Sequence, residues 1–227
     1  MARLVSDSAL LKEDFKSFYL DAGNLRLLGL NIAGAGLIAN SSVDRELQEY
    51  YRDNLRSDTT DSLSDVFRAP GEILLTVPVL LGARYLTDEG SKVNLWAGKS
   101  LRAMFVGAPA GLLIQYSTGG GRPKEGDSHW RPFKNNNGLS GHSFIGAVPF
   151  ITAARMEDNK YSSAFFYGVS VLPALSRIND DEHYFSQALL GWSLAYLSVA
   201  AIDKKDLPEI AVVPRADGYM VYLNASF

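Results

Sequence analysis

Ser176-Arg177-Ile178-Asn179-Asp180-Asp181-Glu182-His183, followed by the mostly apolar run from Tyr184 to Ile202, decides how this chain is read. An arginine and a histidine bracket a short polar segment, immediately before a long helical stretch. Upstream stands Gly138-Leu139-Ser140-Gly141-His142, and before that Gly119-Gly120-Gly121-Arg122-Pro123. The chain holds only three histidines, so finding two of them beside Ser, Gly and Arg is informative. Guanidinium groups, hydroxyls and helix N-termini all bind phosphate, and imidazole changes charge near neutral pH.

Working outward from that stretch, apolar residues recur at helical spacing along most of the chain. Helices are expected over about 8–22, 25–40, 43–56, 60–68, 70–87, 91–117, 141–156, 159–175 and 182–202. Ser140 is a suitable N-cap for the helix holding His142, and Asp180 and Asp181 bias the start of the last one. After Lys204-Lys205-Asp206 the character changes. Two β-like runs, 210–214 and 219–223, flank Ala216-Asp217-Gly218, a strong hairpin signal. The expected architecture is a mainly α, multi-helix bundle in a single domain, 1–227, ending in a short β-hairpin tail over 206–227.

The bulk properties fit a globular chain, with 227 residues, 47% hydrophobic and 21% charged, and a mean hydropathy of -0.03. A net charge of -3 argues against a nucleic-acid binder that relies on bulk positive charge. With no cysteine there is no disulfide, thiolate metal site or cysteine nucleophile. Metal-ligand spacing is also missing, and no cofactor is expected. The N-terminal residues hold Asp7, Lys12, Glu13 and Asp14 and read as no secretory apolar run. Uncharged windows over 27–43, 103–121 and 184–202 reach the lower end of the membrane-spanning range. Their Asn, Gln, Ser and Gly content favours buried helices of a bundle.

Arg122-Pro123, Ser140-Gly141-His142, and Ser176-Arg177 with His183 resemble the three signature motifs of the type-2 phosphatidic acid phosphatase superfamily. That superfamily includes bacterial acid phosphatases and vanadium haloperoxidases. Gly191-Trp192, after the third motif, suits the same fold. The resemblance implies a metal-independent phosphomonoester hydrolase acting on a lipid phosphate or small phosphate ester. His183 would attack phosphorus to form a phosphohistidine, and His142 would serve as general acid and then base. Arg122, Arg177, Ser140 and Gly141 would hold the phosphoryl oxygens. It also implies a bacterial protein, periplasmic or membrane-associated, whose partners are a phosphate ester or phospholipid and the membrane surface.

Three positions depart from the pattern. Gln115 stands where the first motif has Lys, with six residues between it and Arg122; Leu139 replaces Pro; and Gln187 replaces the closing Asp. Gln115 keeps an N–H₂ donor for phosphate. Gln187 keeps a carbonyl that can orient His183, though an amide steadies an imidazolium less than a carboxylate does. A slower phosphatase is expected, or one assisted by Asp127, Asp180 or Asp181. A rival first-motif register, Lys124 to Arg131-Pro132, fits the spacing literally but leaves only about nine residues before Ser140, against about 18 from Arg122. Lys124 and Arg131 remain candidates for substrate contact from the loop. Two further readings stay open: a vanadate-dependent haloperoxidase, and a non-catalytic binder of phosphate or lipid head groups. His129 reads as structural, the 135–138 run as turn chemistry, and the charged stretch 44–56 as a solvated helix face.

Overall fold

A computed structural model describes the backbone of residues 2–203, 209–215 and 218–224, with side chains over 10–203. The fold is mainly helical. In chain order the helices are α1 (Ala2–Tyr19), α2 (Ala22–Ala39), α3 (Val43–Asn54), α4 (Asp58–Arg68) and α5 (Ile73–Leu86). They continue as α6 (Lys92–Thr118), α7 (Gly141–Met156), α8 (Lys160–Ser170), α9 (Leu172–Asn179) and α10 (Phe185–Asp203).

α10 is the axis of the bundle and packs against α7, α6 and α2. Phe18, Leu80, Val106, Val148, Ile151 and Leu194 lie in one core and are almost wholly buried. Burying each such side chain contributes about 1.5–3 kcal/mol before entropy is counted. Small residues let the axis approach its neighbours. A Cβ on Gly107 of α6 would lie 2.3 Å from the Ser198 hydroxyl, and one on Gly191 of α10 would lie 2.3 Å from the Ser140 carbonyl oxygen.

α1 spans Ala2–Tyr19 where 8–22 is expected, and α5 begins at Ile73, not 70. Two further boundaries differ for a local reason. The stretch 159–175 is not one helix. α8 ends at Ser170, with Val171 as its cap, and Pro173 sits in the first turn of α9, where a missing N–H costs nothing and the ring blocks continuation from before. The last helix starts at Phe185, not 182, and Asp180 and Asp181 do not cap it. Asp180 is the C-cap residue of α9, and Asp181 takes a left-handed φ of 56°. The carboxylate at the start of α10 comes from α3: Asp44 accepts the Ser186 N–H at 2.9 Å and the Ser186 hydroxyl. Burial pushes the Asp44 carboxyl up, opposed by those two bonds.

α3 is therefore not simply a solvated charged face. Asp44 and Gln48 are buried, and Arg52 and Arg56 both pair with Asp181 at 2.9 Å. The window 27–43 also departs from expectation. Only 22% of α2 is buried, against 78% of α10, and both are long and apolar enough to cross a membrane. At the C-terminal end, Glu209–Arg215 and Gly218–Asn224 pair antiparallel, Val212 opposite Val221. The connecting residues 216–217 and every side chain of the expected tail lie outside the described residues.

The link from α6 to α7 carries Arg122. It begins at Gly119, whose φ of 59° is a conformation glycine adopts without strain, and a Cβ there would lie 2.1 Å from the Arg131 carbonyl oxygen. The link folds back on itself through Arg131 N–H to the Gly119 carbonyl (3.0 Å) and Asn137 N–H to that of Gly120 (3.2 Å). Its outer part leans on the end of α2. The Ser128 hydroxyl donates to the Ala39 carbonyl at 2.9 Å, the Trp130 N–H donates to the Asn40 side chain at 3.1 Å, and the Trp130 ring covers Gly36.

Candidate active site

The first histidine sits at a helix start. Ser140 is the N-cap of α7 and is completely buried; its hydroxyl accepts the Ser143 N–H at 3.2 Å. His142 follows in the first turn, where the N–H groups of the helix are directed at any anion nearby. The turn between α4 and α5 presses on it, because Gly71 has no side chain: a Cβ there would lie 2.8 Å from the His142 carbonyl oxygen. The next residue, Glu72, places Oε1 3.2 Å from His142 Nε2.

The second histidine is held by a tight loop. The Arg177 carbonyl accepts the N–H groups of Glu182 (3.0 Å) and His183 (3.1 Å), which explains why five residues separate the arginine from the histidine. His183 is buried, and its Nδ1 lies 2.9 Å from Gln187 Oε1. The orientation of that amide is fixed from both sides. Gln187 Nε2 donates to the Gly121 carbonyl at 2.7 Å, and Oε1 also accepts the Tyr184 N–H at 3.2 Å. With Oε1 facing the ring, Nδ1 carries the proton and Nε2 keeps the lone pair. Burial lowers the His183 pKa to about 4, against the Gln187 bond; Arg177, Arg122 and His142 push it the same way as burial. The imidazole is neutral at physiological pH.

The cations surround one acidic side chain. Arg122 and Lys124 each hydrogen-bond a different oxygen of Glu182, and Arg177 approaches the oxygen bound by Arg122 to 4.0 Å. Arg122 Nε also donates to Asn137 Oδ1 at 3.2 Å. Arg177 donates to Asp180 at 3.0 Å, while its buried Nε has no partner among the described residues. Burial pushes the Arg177 guanidinium down, opposed by Asp180 and Glu182. Burial alone would raise the Glu182 carboxyl, but the Lys124 hydrogen bond and the charges of Arg122, Lys124 and Arg177 hold it below the usual range.

Of the residues singled out in the sequence, His142, His183, Arg122, Arg177, Ser140, Gly141 and Gln187 therefore gather at one end of α7 and α10. Gln115 does not join them through any described hydrogen bond of its side chain. Its carbonyl caps α6 by accepting the Gly119 N–H at 3.2 Å. Among the three aspartates considered as helpers, Asp127 pairs with His129 and Arg131, Asp181 with Arg52 and Arg56, and Asp180 with Arg177. None of them touches His183. Arg131 is tied to Asp127 while Arg122 reaches Glu182, which favours the Arg122 register. The sequence reading missed Glu72, whose contact with His142 has no local signal. It also assigns no role to Glu182, which lies among the cations. Among the described residues, no group of three or more His, Asp or Glu side chains is placed to hold a metal ion.

A helical segment built around two histidines and two arginines is the class that this geometry defines. Residues 103–204 match the model of the PAP2 superfamily, a span that contains every motif residue from Gln115 to Gln187. The match is consistent with the resemblance carried by the motifs. No curated protein and no solved structure matches the chain.

Proposed function

We propose that this protein hydrolyses a phosphate monoester by way of a phosphohistidine, and that its substrate is a lipid phosphate. The observation that carries the reading is the Gln187 amide, whose fixed orientation leaves a neutral His183 with its lone pair on Nε2. That nitrogen attacks phosphorus, and the P–O bond to the leaving alcohol breaks as His142 delivers a proton to it. Water then gives a proton back to His142 and displaces His183, releasing inorganic phosphate. Splitting one displacement into two lowers each barrier, and general acid–base help contributes about 10²–10⁴-fold. Arg122, Arg177 and the start of α7 stabilise charge on the equatorial oxygens.

The lipid assignment rests on apolar side chains left exposed next to Glu72 and along α6. Directly after Glu72, α5 exposes Ile73, Leu74, Leu75 and Val79, and α6 exposes Phe105, Leu112 and Leu113. With two helices able to cross a bilayer, these surfaces suit a membrane-associated enzyme taking its substrate from the lipid phase, and we assign it to the bacterial periplasmic face. The experiment is turnover of a phosphatidic acid analogue and of a water-soluble chromogenic ester by the purified chain in detergent, with and without vanadate. Turnover abolished by vanadate and by His183→Ala, with acid-labile phosphate trapped on the parent, is the expected result. Phosphate binding without turnover would make the chain a non-catalytic binder. Halide oxidation in the presence of vanadate would make it a haloperoxidase.

A further inference from the structure

The geometry points to the Glu182 carboxylate as an internal stand-in for the phosphoryl group, and to Lys124 as the phosphate ligand that supplies the charge absent at Gln115. This rests on the reading of Arg122 and Arg177 as phosphate ligands.

Three cations from two segments converge on Glu182: Arg122 and Lys124, two residues apart in the link after α6, and Arg177 from α9. Arg122 and Arg177, which hold Glu182, are also the charges that bear on the His183 ring, so an anion in its place would lie near that imidazole. A carboxylate offers two oxygens, and here both are used, one by Lys124 and the other by Arg122 with Arg177 behind it. Arg177 Nε stays buried and unpartnered among the described residues, a donor of the cradle that Glu182 does not reach. A tetrahedral phosphate has further oxygens for it. Charge gives the same answer. A phosphate dianion added beside Glu182 would bring three negative charges against three cations, of which Arg177 is already shared with Asp180, whereas displacement of Glu182 leaves the cations to the substrate. Glu182 is one-fifth exposed and has open solvent to turn into.

Lys124 follows from the same contact. Its ammonium meets the anion that Arg122 meets, while the side chain of Gln115 takes part in no described hydrogen bond. The loop, not the helix, thus provides the third cation. Lys124 is more than half exposed, and its long stem allows it to follow the anion.

Binding of inorganic phosphate and of tungstate to the full-length chain, measured by calorimetry at pH 7.5, tests both parts without needing turnover. Glu182→Gln is expected to bind either anion about tenfold more tightly than the parent, and Lys124→Met about tenfold more weakly, with Lys124→Arg close to the parent. If Glu182 only orders the arginines, Glu182→Gln will bind more weakly or equally, and the stand-in role is overturned. Equal binding by Lys124→Met and the parent overturns the role of Lys124. If neither the parent nor Glu182→Gln binds at millimolar anion while the parent turns over ester, this proposal fails and the phosphatase reading stands. Tighter binding by Glu182→Gln without turnover by the parent reverses that outcome.

Discussion

The backbone N–H of Ser140 donates to the carbonyl of Gln187 at 3.0 Å. The start of α7, which bears His142, is thereby fastened to the first turn of α10, which orients His183. The spacing of the two histidine-bearing segments is thus set by main-chain packing. Gly191 lies one turn further along α10 and permits the contact.

Gly191→Ala is the direct test of that fastening. The added Cβ would lie 2.3 Å from the Ser140 carbonyl oxygen and 2.9 Å from the Ser143 Cβ, both on the facing helix start. α7 and α10 must separate to accept it. We expect a loss of about 1–3 kcal/mol in stability and about 100-fold in kcat, because reacting groups displaced by about 1 Å lose that much. Thermal melts and ester turnover measure the two effects.

Acid should weaken the fold through His183. Its pKa falls from the ordinary 6.5 to about 4 on burial, so between those values the unfolded chain binds a proton that the folded chain refuses. Stability is complete above about pH 6.5 and declines as the pH falls toward 4, by ~3 kcal/mol in all. Urea titrations of the parent and of His183→Asn at pH 7 and pH 4.5 check this. The variant should show the smaller decline by ~2 kcal/mol, and parallel declines would place the proton uptake elsewhere.

Gln187→Glu should impair the enzyme, although a carboxylate is the better orienter of an imidazolium. The amide N–H₂ holds the Gly121 carbonyl at 2.7 Å next to Arg122, and a carboxylate would set oxygen against oxygen at a wholly buried position. An unpaired buried acceptor costs about 1–3 kcal/mol. We expect kcat to fall about tenfold or more, and the acid limb of the pH–rate profile to move to higher pH as the new charge favours protonated His183. A faster variant would show that orientation of His183 alone limits the rate.

Glu72→Ala removes the carboxylate beside His142 Nε2. With the ring left to rotate, the proton delivered to the leaving oxygen is less well aimed. The expected signature is a fall in kcat of about tenfold with KM changed less than about threefold, and partial recovery in Glu72→Gln. A change in KM alone would make Glu72 a substrate contact.

What could be read from the sequence was local. The separation of Arg177 and His183 is closed by a single carbonyl, the Ser140 cap lies within one turn, and the Nδ1 contact of His183 spans one turn of chain to Gln187, so each left a pattern in neighbouring residues. Helix positions followed from apolar spacing for the same reason. Pro173 was visible but was taken as part of a longer helix, although proline in a first turn marks a beginning. Glu72 on His142, Lys124 on Glu182 and Asp44 at the start of α10 join residues far apart in the chain. They depend on which helices pack together, and one acidic residue among 25 carries no mark of its partner. The exposure of α2 was hidden likewise, because an apolar helix has the same composition whether protein or lipid covers it.

The seat of Trp130 on Gly36 ties the chemistry to a largely exposed helix of the bundle. The segment between Arg122 and Ser140 is hung from the end of α2 by an indole ring and two hydrogen bonds, and α2 is far less covered by the rest of the protein than α10 is. Whatever solvates α2 therefore also props up one wall of the reaction chamber. A bulky side chain at position 36 would unhook that wall while leaving both histidine-bearing segments in place.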